Sequence, residues 1–394
     1  MSQQNTPSVN SYMHKKPQFL LALNQSLWLL AFSLFVTLAA AREQNPADIT
    51  MLELPVADLS RTSSLHGILH QIKEARVLLV GETHTRYDHH LVQLEVLKHL
   101  YLSKQRVALG VEWFQQPFQK HLDDYIAGKI TETEMLHRTE YFQRWGYDYR
   151  LYRPIIQYAR EKQIPIIALN ASQELISALG KGGFEQLPAE LQSQLPDSYD
   201  FTDRDYVERL RDIFKLHPGK SRKFANFLVT QLTWDESMAT RTVDYLQQHP
   251  DLTMLVLAGS GHIRFGSGIP NRIKRRLDSK QFSILVNDDS LSLSPDMADF
   301  LVLSANQSLE PSGLLGVFVE TIDGRVVIQG FVQNSVVKEA GITAGSVIVG
   351  INNKPVNNYT DLKLTLIDNP RGETIELHYL ENGDVRKSMK ITLR

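Results

Sequence analysis

The stretch Arg76–His90, RVLLVGETHTRYDHH, decides how the chain folds. A short apolar run, Val77 to Val80, leads into Gly81-Glu82-Thr83-His84, and Asp88-His89-His90 then opens a helical pattern. The same order recurs downstream. Arg106–Val111 leads into Glu112-Trp113-Phe114, and Ile164–Leu169 ends in Asn170. Thr253–Leu257 ends in Ala258-Gly259-Ser260-Gly261-His262, and Phe282–Val286 is a fifth run. Between these runs lie apolar stripes of helical period. Leu91, Leu94, Leu97 and Tyr101 form one, Tyr206, Leu210, Ile213 and Phe214 another, and a long helix is expected from about Phe224 to Gln248. Strand-length apolar runs alternating with helices predict βαβ units. The fold class is therefore α/β: a mostly parallel sheet with covering helices.

After Ser294 the composition changes. Residues 295–312, with Pro295 and Pro311 among scattered polar residues, read as a linker, and a small β-rich domain is expected over 313–394. Its hairpin signals are Asp323-Gly324 between Val317–Ile322 and Arg325–Gly330, and Asn382-Gly383 between Thr374–Leu380 and Val385–Thr392. Gly313-Leu314-Leu315-Gly316-Val317, the segment from Asn334 to Ile342, Gly345–Asn352 and a helix over about Tyr359–Ile367 follow in order. Together they resemble a PDZ domain of the bacterial protease-associated type. The resemblance implies that Gly313, Leu314, Leu315 and Gly316 form a carboxylate-binding loop and that the next strand offers an edge to a protein or peptide partner. The usual pattern is departed from in two places: Leu315-Gly316 stands for a Gly-Phe pair, and Ser346 stands where Asp is common.

The other end of the chain carries a leader. His14, Lys15 and Lys16 precede an apolar run from about Phe19 to Ala41, closing in Ala39-Ala40-Ala41. Residues 1–41 thus read as a signal peptide or an N-terminal membrane anchor, the longer run reaching the roughly 20 residues that span a bilayer. Residues 42–63 read as a linker. Either way the domains are expected to be exported: periplasmic, or anchored in the inner membrane and facing the periplasm. The 394 residues contain no cysteine, which excludes disulfides, thiolate metal sites, a cysteine nucleophile and a lipoprotein anchor. A net charge of −2 gives no basic field for nucleic acid.

In the large domain, 64–294, the carboxyl ends of parallel strands share one rim, where ligands bind. Glu82, His84, Glu112, Asn170 and His262 are expected to converge there. Glu82, His84, Glu112 and His262 offer oxygen and nitrogen donors to a divalent metal such as zinc or manganese, or a general acid and base. Each residue alone also suits a capping or core role. Three strand ends each delivering an ionisable residue is what favours a site. His89 and His90 open a helix, where the macrodipole disfavours imidazolium, and read as surface residues. The tyrosines around Trp145 read as packing aromatics.

Gly81-Glu82-Thr83-His84, Glu112, Trp145–Pro154 (WGYDYRLYRP) and Gly259-Ser260-Gly261-His262 through Pro270 resemble the ChaN-like haem-binding uptake family. That family lies in the superfamily of Tiki-type proteases and erythromycin-esterase-like proteins. The resemblance implies haem binding in iron acquisition, a tyrosine axial ligand and pairing of protomers around the haem. Tyr141, Tyr147 and Tyr149 are the candidates, and no motif selects among them. Two alternatives stay open: a metal-dependent hydrolase or peptidase of the Tiki-like superfamily, and a PDZ adaptor whose α/β domain is inactive. The sequence has no H-E-x-x-H and no G-x-S-x-G to support hydrolysis.

Overall fold

A computed structural model describes residues 62–394 apart from 104, 217–222, 289–292 and 382. The leader and nearly all of the 42–63 linker lie outside the described residues. Among the described residues no helix is long and apolar enough to cross a membrane.

The first domain runs α1 (Leu65–Gln71), β1 (Val77–Glu82), α2 (Tyr87–Leu102) and β2 (Val107–Gln115). Helices α3 (Gln119–Ile126), α4 (Glu132–Arg138), α5 (Tyr141–Arg144) and α6 (Arg153–Glu161) then lead to β3 (Ile166–Asn170). Next come α7 (Gln173–Gly182), α8 (Ala189–Gln192), α9 (Arg204–Leu216) and α10 (Phe224–Gln248). Strand β4 (Thr253–Gly259), α11 (Ile269–Arg276), β5 (Gln281–Val286) and β6 (Phe300–Val302) complete it. The strands form one parallel sheet in the order β3-β2-β4-β1-β5-β6. Alternating side chains send Leu78 and Val80 into one core layer with Leu94 and Leu97 of α2, and Val77 and Leu79 into another with Met238 and Val243 of α10. With both faces covered, β1 and β2 read as unbroken apolar runs.

Strand β6 lies inside the stretch expected to be a linker. Phe300, Leu301 and Val302 pair with Ile284, Leu285 and Val286, so the sheet gains an edge strand from a segment too short to announce itself.

The second domain contains β7 (Val317–Ile322), β8 (Arg325–Phe331), α12 (Val336–Glu339), β9 (Val347–Ile351), β10 (Lys354–Pro355), α13 (Tyr359–Leu366), β11 (Thr374–Glu381) and β12 (Val385–Thr392). Its antiparallel sheet has the order β12-β11-β9-β8-β7, with β10 on β9, around a separate core that includes Val326, Ile348 and Leu377.

Three arginines of α11 converge on one buried acid. Arg272, with no exposed surface, sits 3.0 Å from Glu236 of α10, and Arg275 and Arg276 reach the same carboxylate at 2.9 and 2.6 Å. Breaking a buried ion cluster by removing one sign of charge costs about 3–5 kcal/mol. Glu236→Gln is therefore expected to lower the unfolding free energy in urea by that amount, and a loss under about 1 kcal/mol would show the cluster behaving like a solvated surface pair.

Candidate functional site

The register of β1 on β4 sets Glu82 beside Gly259, at the carboxyl ends of both strands. The turn after β1 brings His84 back, with Nδ1 2.5 Å from Glu82 Oε1. Glu112 follows the point where β2 shifts register against β3, and its Oε2 accepts from the Gly259 amide at 2.7 Å. Gly259 lets these groups meet. A Cβ there would lie 3.0 Å from His84 Cε1, 3.3 Å from its Nε2 and 3.6 Å from Glu112 Oε2. Glu112 Oε1 is 3.5 Å from His262 Nε2, and His262 Nδ1 is 2.6 Å from Asp235 Oδ1. The Tyr206 hydroxyl donates to Asp235 Oδ2 at 2.6 Å. A buried polar chain thus runs from Glu82 through His84, Glu112, His262 and Asp235 to Tyr206.

Four of the five expected rim residues are in that chain. Asn170 is not. It ends β3 beside Gln115, buried, and its Oδ1 has no hydrogen-bond partner among the described residues.

Burial pushes the His84 imidazole toward the neutral form, but the Glu82 carboxylate, aided by Glu112, outweighs it and holds the pKa at about 9. Burial likewise opposes charge on Glu82, and the neighbouring His84, His90 and His89 hold it below the ordinary carboxylate value. Burial works against His262 too, and Asp235 and Glu112 raise it. Two imidazole–carboxylate pairs, each favouring the ionic form, meet at Glu112.

His89 and His90 are not surface residues. Both are buried. The Thr83 amide donates to His89 Nδ1 at 3.0 Å, and His89 Nε2 lies 3.1 Å from the Asn287 carbonyl oxygen, the pattern of a neutral ring. Burial lowers its pKa accordingly. His90 lies 3.2 Å from the His84 carbonyl oxygen and 3.0 Å from Gln93 Oε1. The two rings hold the turn that carries His84.

Residues 145–152 cover that turn. The ring centroids of Trp145 and Tyr147 lie 4.9 and 4.8 Å from that of His84, and the Tyr152 hydroxyl donates to the His84 carbonyl at 3.3 Å. The expected tyrosine candidates now separate. Tyr141 and Tyr149 are fully buried, and burial drives both phenols well above their ordinary pKa, so neither suits a tyrosinate ligand to a planar group arriving from outside. Tyr147 is half-buried at the rim.

The expected four-ligand metal centre is not assembled. Nδ1 of each histidine faces a carboxylate as an ion pair, and among the described residues no three histidine, aspartate or glutamate side chains converge in ligating geometry. Asp235 escaped the sequence reading, and Tyr206 entered it only as part of an apolar stripe. A signal for Asp235 existed: Leu232, Asp235, Ala239, Val243 and Leu246 fall on one helix face, so the acid interrupts an apolar stripe.

In the second domain the Gly313 and Leu314 amides donate to the Asn369 and Arg394 carbonyls at 2.9 and 2.8 Å, so they serve the fold and are not available to a carboxylate. Leu315 and Gly316 make the turn that follows. The Leu315 side chain is buried, and Gly316 has a φ of 73°, which glycine adopts readily, with a Cβ there lying 2.8 Å from the Ser335 Cα. Strand β7 follows at the edge of the sheet, with Phe318 and Ile322 exposed.

A parallel α/β domain that buries imidazole–carboxylate pairs at its strand ends, followed by a PDZ domain, is the class of protein defined by these features. The chain belongs to the family described as haem-binding uptake, Tiki superfamily, ChaN, whose model matches residues 68–273; a PDZ model matches 313–393. Among solved structures, ChaN of Campylobacter jejuni, described as binding haem cofacially, is similar at 21% identity and a TM-score of 0.50, over 62% of this chain and 92% of that one. A serine endoprotease from Yersinia pestis matches at 24% identity and a TM-score of 0.19, over 21% of this chain and 28% of its own. The PDZ domain of a Vibrio cholerae carboxy-terminal protease, in complex with a peptide, matches at 22% identity and a TM-score of 0.18, over 21% of this chain and 92% of its own. No curated protein matches the chain significantly.

Because the folded pKa of His84 is raised from 6.5 to about 9, the stability lent by its pairing is complete below about pH 6.5 and is lost as pH rises through about 9. NMR titration of the imidazole is expected to show that midpoint, and Glu82→Gln to lower it. A midpoint unmoved by Glu82→Gln would assign the shift to Glu112.

Proposed function

We propose that this chain binds haem at the rim beside residues 145–147 and works in iron or haem acquisition as an exported protein, its PDZ domain docking a peptide from an envelope partner. Family membership supports the ligand. The observation that carries the reading for this chain is the placement of Tyr147: half-buried, with its ring 4.8 Å from His84, while Tyr141, Tyr149 and Tyr152 are enclosed in the core. Ferric haem accepts tyrosinate as an axial ligand, and a positive imidazole alongside favours an anionic oxygen donor. Tyr147 is thus the residue proposed to hold the iron, with the buried Trp145 ring packed behind it. Pairing of protomers around the haem belongs to the same reading. Export rests on the charged and apolar leader, and peptide docking on the open edge of β7 beside Gly316.

Haemin titration followed by absorbance, with metal content measured on the same sample, tests this. A saturable Soret shift near one haem per chain is expected. Tyr147→Phe is expected to weaken binding by at least about tenfold, the scale of losing one good ligand interaction, and Tyr149→Phe to leave it unchanged. A flat titration, or Tyr147→Phe binding as the wild type does, would sink the assignment. Stoichiometric zinc or manganese lost in His84→Ala and His262→Ala would replace it with a metal site.

One observation favours a second reading. The pairs His84–Glu82 and His262–Asp235 meet at Glu112 as an acid–base set, an arrangement suited to hydrolysis. That reading requires turnover that collapses in Glu82→Gln and His262→Ala.

A further inference from the structure

Helix α13 of the PDZ domain has two apolar faces. Leu362 and Leu366 pack into the PDZ core, whereas Tyr359, Leu364 and Ile367, just past the helix end, pack onto the core of the α/β domain. Polar contacts fix the second face. His137 Nε2 lies 2.8 Å from Asp361 Oδ1, Gln143 Nε2 donates to Thr360 Oγ1 at 2.7 Å, and Arg153 Nη1 donates to Asp368 Oδ1 at 2.5 Å. The contacts at 137, 143 and 153 bracket the segment that carries Trp145 and Tyr147. From its other side that segment lies against His84, through both rings and through the Tyr152 hydroxyl. On its PDZ side α13 also stands beside the edge strand, with the Tyr359 amide donating to Thr321 Oγ1 at 3.2 Å.

We propose that the PDZ domain is a working part of the rim site: α13 and the turn after it position residues 141–153, so that Ile367 and Asp368 are positioning residues for Trp145 and Tyr147. Ile367 shares one apolar core with Tyr141, Phe142, Trp145 and Tyr147, and the last two lie against His84. Glu132, Glu174 and Glu310 also hold Tyr149, Arg153, Arg144 and Arg150, so α13 supplies part of the bracing on the face away from His84, and a surface segment that loses part of its packing opens at lower free energy. The role rests on the haem reading where it concerns affinity, and on packing alone where it concerns the order of the segment.

The test uses the whole purified protein with Ile367→Ala and Asp368→Asn. Asp368 is two-thirds exposed, so its variant keeps the fold even if the truncated isoleucine does not. Hydrogen exchange read by mass spectrometry is expected to accelerate about tenfold in peptides covering 141–153, the scale of losing one good contact, with the amides of β8 and β9 unchanged. In the same variants haemin affinity is expected to fall about fivefold or more, with an altered Soret maximum. Unchanged exchange over 141–153 in both variants overturns the proposal. So does faster exchange with unaltered haemin affinity and spectrum. A wild type that binds no haemin defeats the haem reading instead, and exchange then decides the bracing role alone.

Discussion

The structure depends on the parallel pairing of β1 with β4, two strands whose side chains are enclosed on both faces of the sheet. Enclosure on both sides leaves no place for charge along the strands, so ionisable groups collect where the strands end. The register then sets Glu82 against Gly259, and the missing side chain at 259 gives His84 and Glu112 their common space. A larger residue there would separate the two halves of the polar chain. The same logic governs the interior acids. Asp235 and Glu236 are neighbours on α10, yet one faces His262 and the other three arginines, because successive helical residues point about a hundred degrees apart. Three arginines of α11 consequently converge on one buried carboxylate, while Lys274 between them stays exposed.

Much of this was legible in the sequence, for a physical reason. Unbroken apolar runs ending in polar residues are what a doubly covered parallel strand requires, and β1, β2, β3, β4 and β5 all announce themselves so. The helix Phe224–Gln248 and the two tight hairpins follow from period and turn chemistry, which are local properties. What failed was non-local. Phe300-Leu301-Val302 becomes a strand only because β5 presents an edge to it. His89 and His90 looked exposed by the rule for helix openings, but Thr83 and Asn287, the latter far along the chain, satisfy a neutral buried ring.

The site was half legible. Its four titratable rim residues stand at strand ends, so topology brings them together whatever the loops do. Which tyrosine stands at the rim was not. The segment WGYDYRLYRP offers Tyr147, Tyr149 and Tyr152 at near-equal spacing, and nothing local distinguishes them. The distinction comes from packing: Tyr149 is enclosed with its hydroxyl on Glu132 of α4, Tyr152 lies between His90 and Trp113, and Tyr147 keeps a partly exposed ring at the rim. Asp235 was concealed differently, as an acid on a face that composition alone would call apolar.

Ile367 lies in the C-terminal domain by sequence and in the core of the other domain by packing. The boundary along the chain is therefore not the boundary in space. A PDZ domain attached by a plain linker is a cassette, exchangeable for any relative of the same fold. This one presents a tailored outer face, so a replacement would need an aliphatic residue at 367 and carboxylates at 361 and 368 to fit the same neighbour. The two domains are matched as a pair, and sequence drift on α13 is constrained from both sides.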